Sequence, residues 1–155
     1  MKKLVKLIGI CTFVSGTAGL VYSITKANKL KNDNQDVEQL EANGKNLVRK
    51  CIFDGLEEKI DMSDKDALYL IGRFGGMELD LNKTSEDNED ITVDIDMHFG
   101  GIELKVPEGY EIVNNISCIM GGVEIPETQS PEGDPVITLT GKVVFGGVEV
   151  QYQSN

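Results

Sequence analysis

Phe99-Gly100-Gly101-Ile102-Glu103-Leu104 has three close copies in the same chain: Phe74-Gly75-Gly76-Met77-Glu78-Leu79, Met120-Gly121-Gly122-Val123-Glu124-Ile125 and Phe145-Gly146-Gly147-Val148-Glu149-Val150. Successive glycine pairs are 25, 21 and 25 residues apart. Self-similarity at a fixed period in this range marks a stacked array, in which each copy buries its apolar face only against its neighbours. The sequence around the motif alternates apolar and polar residues. Ile91-Thr92-Val93-Asp94-Ile95-Asp96-Met97-His98-Phe99 does so over nine positions, and Ile137-Thr138-Leu139-Thr140 repeats the pattern. That period of two is the mark of a strand with one buried face. Beyond the glycines the alternation resumes, with Met77, Leu79 and Leu81 facing in and Glu78 and Asp80 facing out; Ile102, Leu104 and Val106 follow the same rule. Turn formers fill 82–90, 107–109 and 126–135. No stretch after Asp66 has helical periodicity.

These features predict an all-β fold, a small β-solenoid or β-helix-like stack of Phe-Gly-Gly repeats with four or five coils. Residues 47–57, containing Phe53-Asp54-Gly55-Leu56-Glu57, read as a degenerate first copy, because end repeats are atypical where they cap a stack. At each corner the pair Gly75-Gly76, Gly100-Gly101, Gly121-Gly122 or Gly146-Gly147 is expected to supply positive φ or a very close backbone approach. Phe74, Phe99, Met120 and Phe145 are then expected to fill the interior. Glu78, Glu103, Glu124 and Glu149 would form a row outside, the candidate interaction stripe. Like charges one strand apart repel, so the row calls for relief from Arg73, Lys105 or Lys142, from backbone N–H groups, from cations or from solvent. A solvated polar face is the plainer reading of the same row.

The chain has 155 residues and 40% hydrophobic content, enough for one domain with a core. Its net charge of −11 is unevenly spread: six of the 15 basic residues lie in 1–31, which hold no acid, leaving nine basic residues against all 26 acids in the rest. So acidic a domain repels phosphate backbones, which argues against nucleic-acid binding. Residues 7–24 form an uncharged run of 18, flanked by Lys3 and Lys6 on one side and by Tyr22 and Lys26 on the other. That length sits at the lower limit for a spanning helix. A cleaved signal peptide and a soluble helix are the rival readings; the apolar run continues past the small residues Ser15-Gly16-Thr17-Ala18 to Ile24, which favours an uncleaved anchor. The expected organisation is therefore an anchor helix over 1–25, a polar tether or short helix over 26–50 and a β-repeat domain over 51–155.

Cys51 and Cys118 have apolar neighbours and no zinc spacing, so they read as buried thiols, with a disulfide between them left open. Reduced thiols lean towards a cytoplasmic location for the domain, while three lysines on each side of the apolar run leave its orientation undecided. Asp94, Asp96 and His98 share one strand face and have metal-ligand chemistry, yet alternating polar residues are what any exposed strand face shows. His98 is the only histidine and the only candidate base, no nucleophile sits beside it, and Gly72-Arg73-Phe74-Gly75-Gly76 lacks phosphate-loop spacing. Neither an enzyme nor a cofactor is expected.

Residues 93–110, Val-Asp-Ile-Asp-Met-His-Phe-Gly-Gly-Ile-Glu-Leu-Lys-Val-Pro-Glu-Gly-Tyr, and the closing Gly141-Lys142-Val143-Val144-Phe145-Gly146-Gly147-Val148-Glu149-Val150 resemble the C-terminal domain of LiaF-type membrane proteins, the cell-wall-active antibiotics response family with toastrack-like repeats. The resemblance covers roughly 67–152. It implies a membrane-tethered, non-enzymatic module that senses or relays bacterial envelope stress through a protein partner, often a sensor kinase. The founding members carry several spanning helices before the domain, whereas this chain has at most one. The expected function is a membrane-anchored protein-interaction module in a single-pass arrangement. A self-assembling scaffold and a carbohydrate-binding or carbohydrate-active β-helix are the alternatives.

Overall fold

Alternation makes each repeat a strand, and one slip in the alternation bends it. The computed structural model describes residues 44–82, 89–127 and 134–153. The anchor expected over 1–25 and the tether as far as residue 43 lie outside the described residues. There are six strands: β1 Asn46–Ile52, β2 Gly55–Asp61, β3 Ala67–Asn82, β4 Ile91–Val106, β5 Glu111–Glu124 and β6 Val136–Tyr152. Every pairing is parallel. The lateral order is β1-β3-β4-β6-β5, with β2 also beside β3. β1 and β2 together form one rung, and each later strand forms another. The result is an all-β solenoid of about four turns, without a helix among the described residues. Because β1 begins at Asn46, the repeat region starts inside the stretch assigned to the tether. The degenerate first copy is a complete rung, with Gly55 opposite Gly76 and hence Asp54 where later rungs have their first glycine.

The bend has a different origin from the one expected. In β3 the inward residues are Leu68, Leu70 and Gly72 before the corner and Met77, Leu79 and Leu81 after it. The step from 72 to 77 is odd, so the alternation must slip once. It slips at Phe74, whose φ is 54°; the equivalent Phe53, Phe99, Met120 and Phe145 have φ of 56°, 57°, 54° and 54°. The left-handed residue is thus the aromatic or methionine, and the paired glycines stay out of that region. Their role is close approach. A Cβ on Gly100 would lie 1.8 Å from the Gly75 carbonyl oxygen, one on Gly146 2.0 Å from that of Gly100, and one on Gly121 1.8 Å from that of Gly146.

Left-handed φ costs a non-glycine residue about 1–2 kcal/mol. Ring stacking offsets it: Phe53, Phe74, Phe99 and Phe145 form a column with 4.9 Å between successive centroids and interplanar angles of 3°, 1° and 12°. Each favourable ring pair contributes about 0.5–1.5 kcal/mol beyond burial. The expectation that these residues fill the interior is corrected here. The slip in alternation takes them off the inward face, outside the core cluster, and Phe53 and Met120 at the two ends are 60% and 62% exposed.

The core lies between the two arms of the bent strands, in layers that run along the stack. Leu68, Val93 and Leu139 make one layer, Met77, Ile102 and Val148 another, and Leu79, Leu104 and Val150 a third. Gly72 is small because the Met97 side chain occupies its Cβ position, with Cε only 2.3 Å away.

The rungs do not stack in chain order: β6 inserts between β4 and β5. Inward residues explain the exchange. β6 offers Leu139, Val143, Val148 and Val150, all buried, whereas β5 offers exposed Asn114 and half-buried Ile116 and Cys118. The more apolar rung takes the place covered on both sides. The other end rung also carries polar residues inward: Arg49 on β1 donates to both oxygens of Glu58 on β2, at 2.6 and 2.7 Å, closing the mouth between the arms.

Cys51 and Cys118 occupy the same layer at opposite ends, Cys51 opposite Gly72, then Met97, Val143 and Cys118. Four strand spacings separate them, roughly 19 Å, so no disulfide can join them within the chain.

Candidate functional site

The glutamate row forms in register and is longer than expected: Glu57, Glu78, Glu103, Glu149 and Glu124 lie side by side in that order. Their exposure differs. Glu57 and Glu124 at the ends are exposed, Glu78 and Glu149 half-buried, and Glu103 in the middle is only 3% exposed, contrary to its expected outward, solvated position. Of the three basic residues considered as relief, Lys105 serves. Its Nζ donates to Glu78 at 2.8 Å and lies 3.8 Å from the buried Glu103 Oε1, which accepts no hydrogen bond. The Glu78 hydrogen bond, helped by the charges of Glu78, Glu103 and Asp80 and opposed by burial, holds the Lys105 ammonium above the usual lysine range. Gln151 donates to Glu149. Next to the row, a shallow groove is lined by Glu57, Glu58, Lys59, Glu78, Asp80 and Lys105.

Arg73 lies elsewhere, fully buried before the corner of β3. Its Nη1 donates to the carbonyls of Gly72 and Asp96, and its Nη2 to Asp96 Oδ2, all at 2.6 Å. His98, opposite Arg73 in the register, places Nε2 3.2 Å from Asp96 Oδ1. His98 is 1% exposed rather than on a solvated face, and Asp96 is committed to Arg73, so the Asp94–Asp96–His98 face does not assemble as a ligand set. Among the described residues no three His, Cys, Asp or Glu side chains gather as a metal site would require. Asp94, pushed up by burial and then by the Asp96 charge, stands beside this cluster. Arg73 is buried and Asp96 half-buried, so desolvation cancels part of the attraction between them. The signal in the sequence was an arginine at the position before the corner where the other rungs have His98, Val144, Ile119 and Ile52. Burial pushes both the Cys51 and the Cys118 thiols up, away from the thiolate that nucleophilic chemistry needs.

Open stack ends are what the self-assembling-scaffold alternative rests on, but the exposed residues Ile119 and Ile125 were not singled out from sequence. β5 pairs with β6 on one side only, and there Ile119, Met120 and Ile125 are 45%, 62% and 39% exposed, beside exposed Gly121 and Gly122. Fold and surface together define a short parallel β-solenoid whose first rung carries an ion pair between its arms and whose last rung, β5, has no strand on its outer side among the described residues. No family model, curated protein or solved structure matches the chain.

Proposed function

We propose that the chain is a non-enzymatic module held at the bacterial cell membrane by residues 7–24, where its solenoid binds a protein partner in a pathway that senses or relays envelope stress. The observation that carries this reading is the outer edge of β5, which pairs with no strand among the described residues and along which Ile119, Met120 and Ile125 are each exposed. The resemblance to LiaF-type domains supports the envelope-stress setting. The free thiols of Cys51 and Cys118 support a cytoplasmic side for the domain.

The test is fractionation combined with a stress reporter. The full chain should resist alkaline carbonate extraction, and a Val14→Lys/Leu20→Lys variant should move to the soluble fraction. Removing the protein should change the host's transcriptional response to a cell-wall-active antibiotic. Carbonate-soluble wild-type protein would end the anchor reading, and an unchanged response would end the stress reading.

A further inference from the structure

The two ends of the stack differ at the corner position, and that difference decides which rungs can stack there. In each of the four rung-to-rung contacts, the first corner residue of one rung faces the corner carbonyl of the rung before it. The Cβ positions of Gly75, Gly100, Gly146 and Gly121 lie 2.1, 1.8, 2.0 and 1.8 Å from the carbonyl oxygens of Asp54, Gly75, Gly100 and Gly146. A parallel rung can therefore stack on the next only if it has glycine at that position. Asp54 holds the position in the first rung, and its own Cβ points away from β3, where a preceding rung would place its carbonyl. The β1–β2 rung thus cannot sit on another rung. At the far end the geometry is permissive: the pattern of the four contacts, continued one rung further, turns the Gly121 carbonyl outward, Gly122 has nothing within 4 Å of its Cβ position, and Met120 at the end of the aromatic column is exposed.

We infer that the β5 edge is the partner-docking surface, and that it accepts a parallel strand rung from another protein, with glycine at the corner and an aromatic or methionine before it. Asp54 prevents a second copy of this chain from being that rung. Backbone pairing along 111–124 supplies affinity, the corner glycine supplies selection, and Ile119 and Met120 continue the buried column. Edge strands are commonly protected by charge or by a covering element; β5 between Ile116 and Val123 carries no charged side chain. The inference rests on the interaction-module reading for its use in the cell, and on the corner geometry for its chemistry.

The test converts the first rung into an acceptable partner. Arg49→Leu, Asp54→Gly and Glu58→Leu together give β1–β2 the inward Leu, corner Gly and inward Leu that β3 has at Leu70, Gly75 and Leu79. The full chain in detergent micelles is examined by sedimentation at high ionic strength, which screens Glu57 against Glu124. Wild type and the Arg49→Leu/Glu58→Leu control, which retains Asp54, should sediment as monomers. The triple variant should show a several-fold rise in average mass with concentration. Adding Gly122→Lys, whose Cβ position has nothing within 4 Å and lies on the side an incoming rung would occupy, should restore the monomer. A monomeric triple variant overturns the inference. So does association in the wild type or the control, or association that survives Gly122→Lys. None of these results moves the membrane fraction, so failure here is separable from failure of the anchor reading.

Discussion

At the scale of single residues, the corner divides labour between neighbours. The residue before the glycines accepts left-handed φ and recovers the cost in a stacked column, while the glycines keep the rungs close. This division makes chemically identical substitutions differ sharply. Gly100→Ala brings a methyl 1.8 Å from a backbone oxygen with no flexible atom to yield, so a loss of about 3 kcal/mol in denaturant unfolding is expected. Gly122→Ala meets nothing within 4 Å and should be neutral or stabilising by about 0.5 kcal/mol. Equal losses at the two sites would show that the glycines act through φ rather than through approach. The sequence showed that something at the corner demanded glycine, because the doublet recurs. It did not show which residue takes the unusual φ, since the odd step from 72 to 77 permits the slip at any residue between them.

At the scale of elements, each rung is specified by its inward positions, and the end rungs are recognisable by polar residues there. Arg49 stands in the layer of Leu70, Glu58 in that of Leu79, and Asn114 in that of Leu139. The hydrogen bond from Arg49, with its charge and against the opposing effect of burial, holds the Glu58 carboxyl below its ordinary 4.5. A depressed folded-state value means that the pair's contribution is fully present above 4.5 and is lost as pH falls through the lower folded value. A melting-temperature titration of the wild type should therefore fall more steeply on the acid side than that of Glu58→Gln, while at neutral pH the variant is less stable by about 1 kcal/mol or less. Parallel acid limbs would remove the pair from the account of how this end is closed. Phe-Asp-Gly was legible as a degenerate rung because its spacing to Glu57 matches the later copies. The meaning of Asp54 was not, because it depends on which side of the rung faces a neighbour. The Arg73–Asp96–His98 cluster was hidden for a related reason: strand alternation assigns a face, and on that face Arg73 and His98 are buried while Asp96 is half-buried.

At the scale of the whole molecule, the stack is a one-dimensional array in which each rung is supported by its immediate neighbours, so its order determines where unfolding begins. The period and the stacking of the repeats were legible, because identical corners can superpose only in register. The exchange of β5 and β6 was not, since the repeats differ too little for spacing to rank them. The ranking follows instead from the apolar content of the inward positions. Chain order would leave the C-terminal strand at the edge and make it the first to open. The observed order places β6 between β4 and β5, ties its end to β4 through the Gln153 N–H donated to the Val106 carbonyl, and leaves β5 with one partner. Hydrogen exchange on the full chain should therefore find the amides of 111–124 opening first and those of 91–106 last, with 136–152 close to the latter. Val143→Ala, which removes buried volume from β6 at a cost of about 1–3 kcal/mol, should accelerate exchange in β5 much more than in β1 and β2, because β5 has no other rung to hold it. If 136–152 exchanged before 111–124, the strands would lie in chain order, Gly121 would no longer present its carbonyl at the end of the stack, and the bare edge would belong to β6.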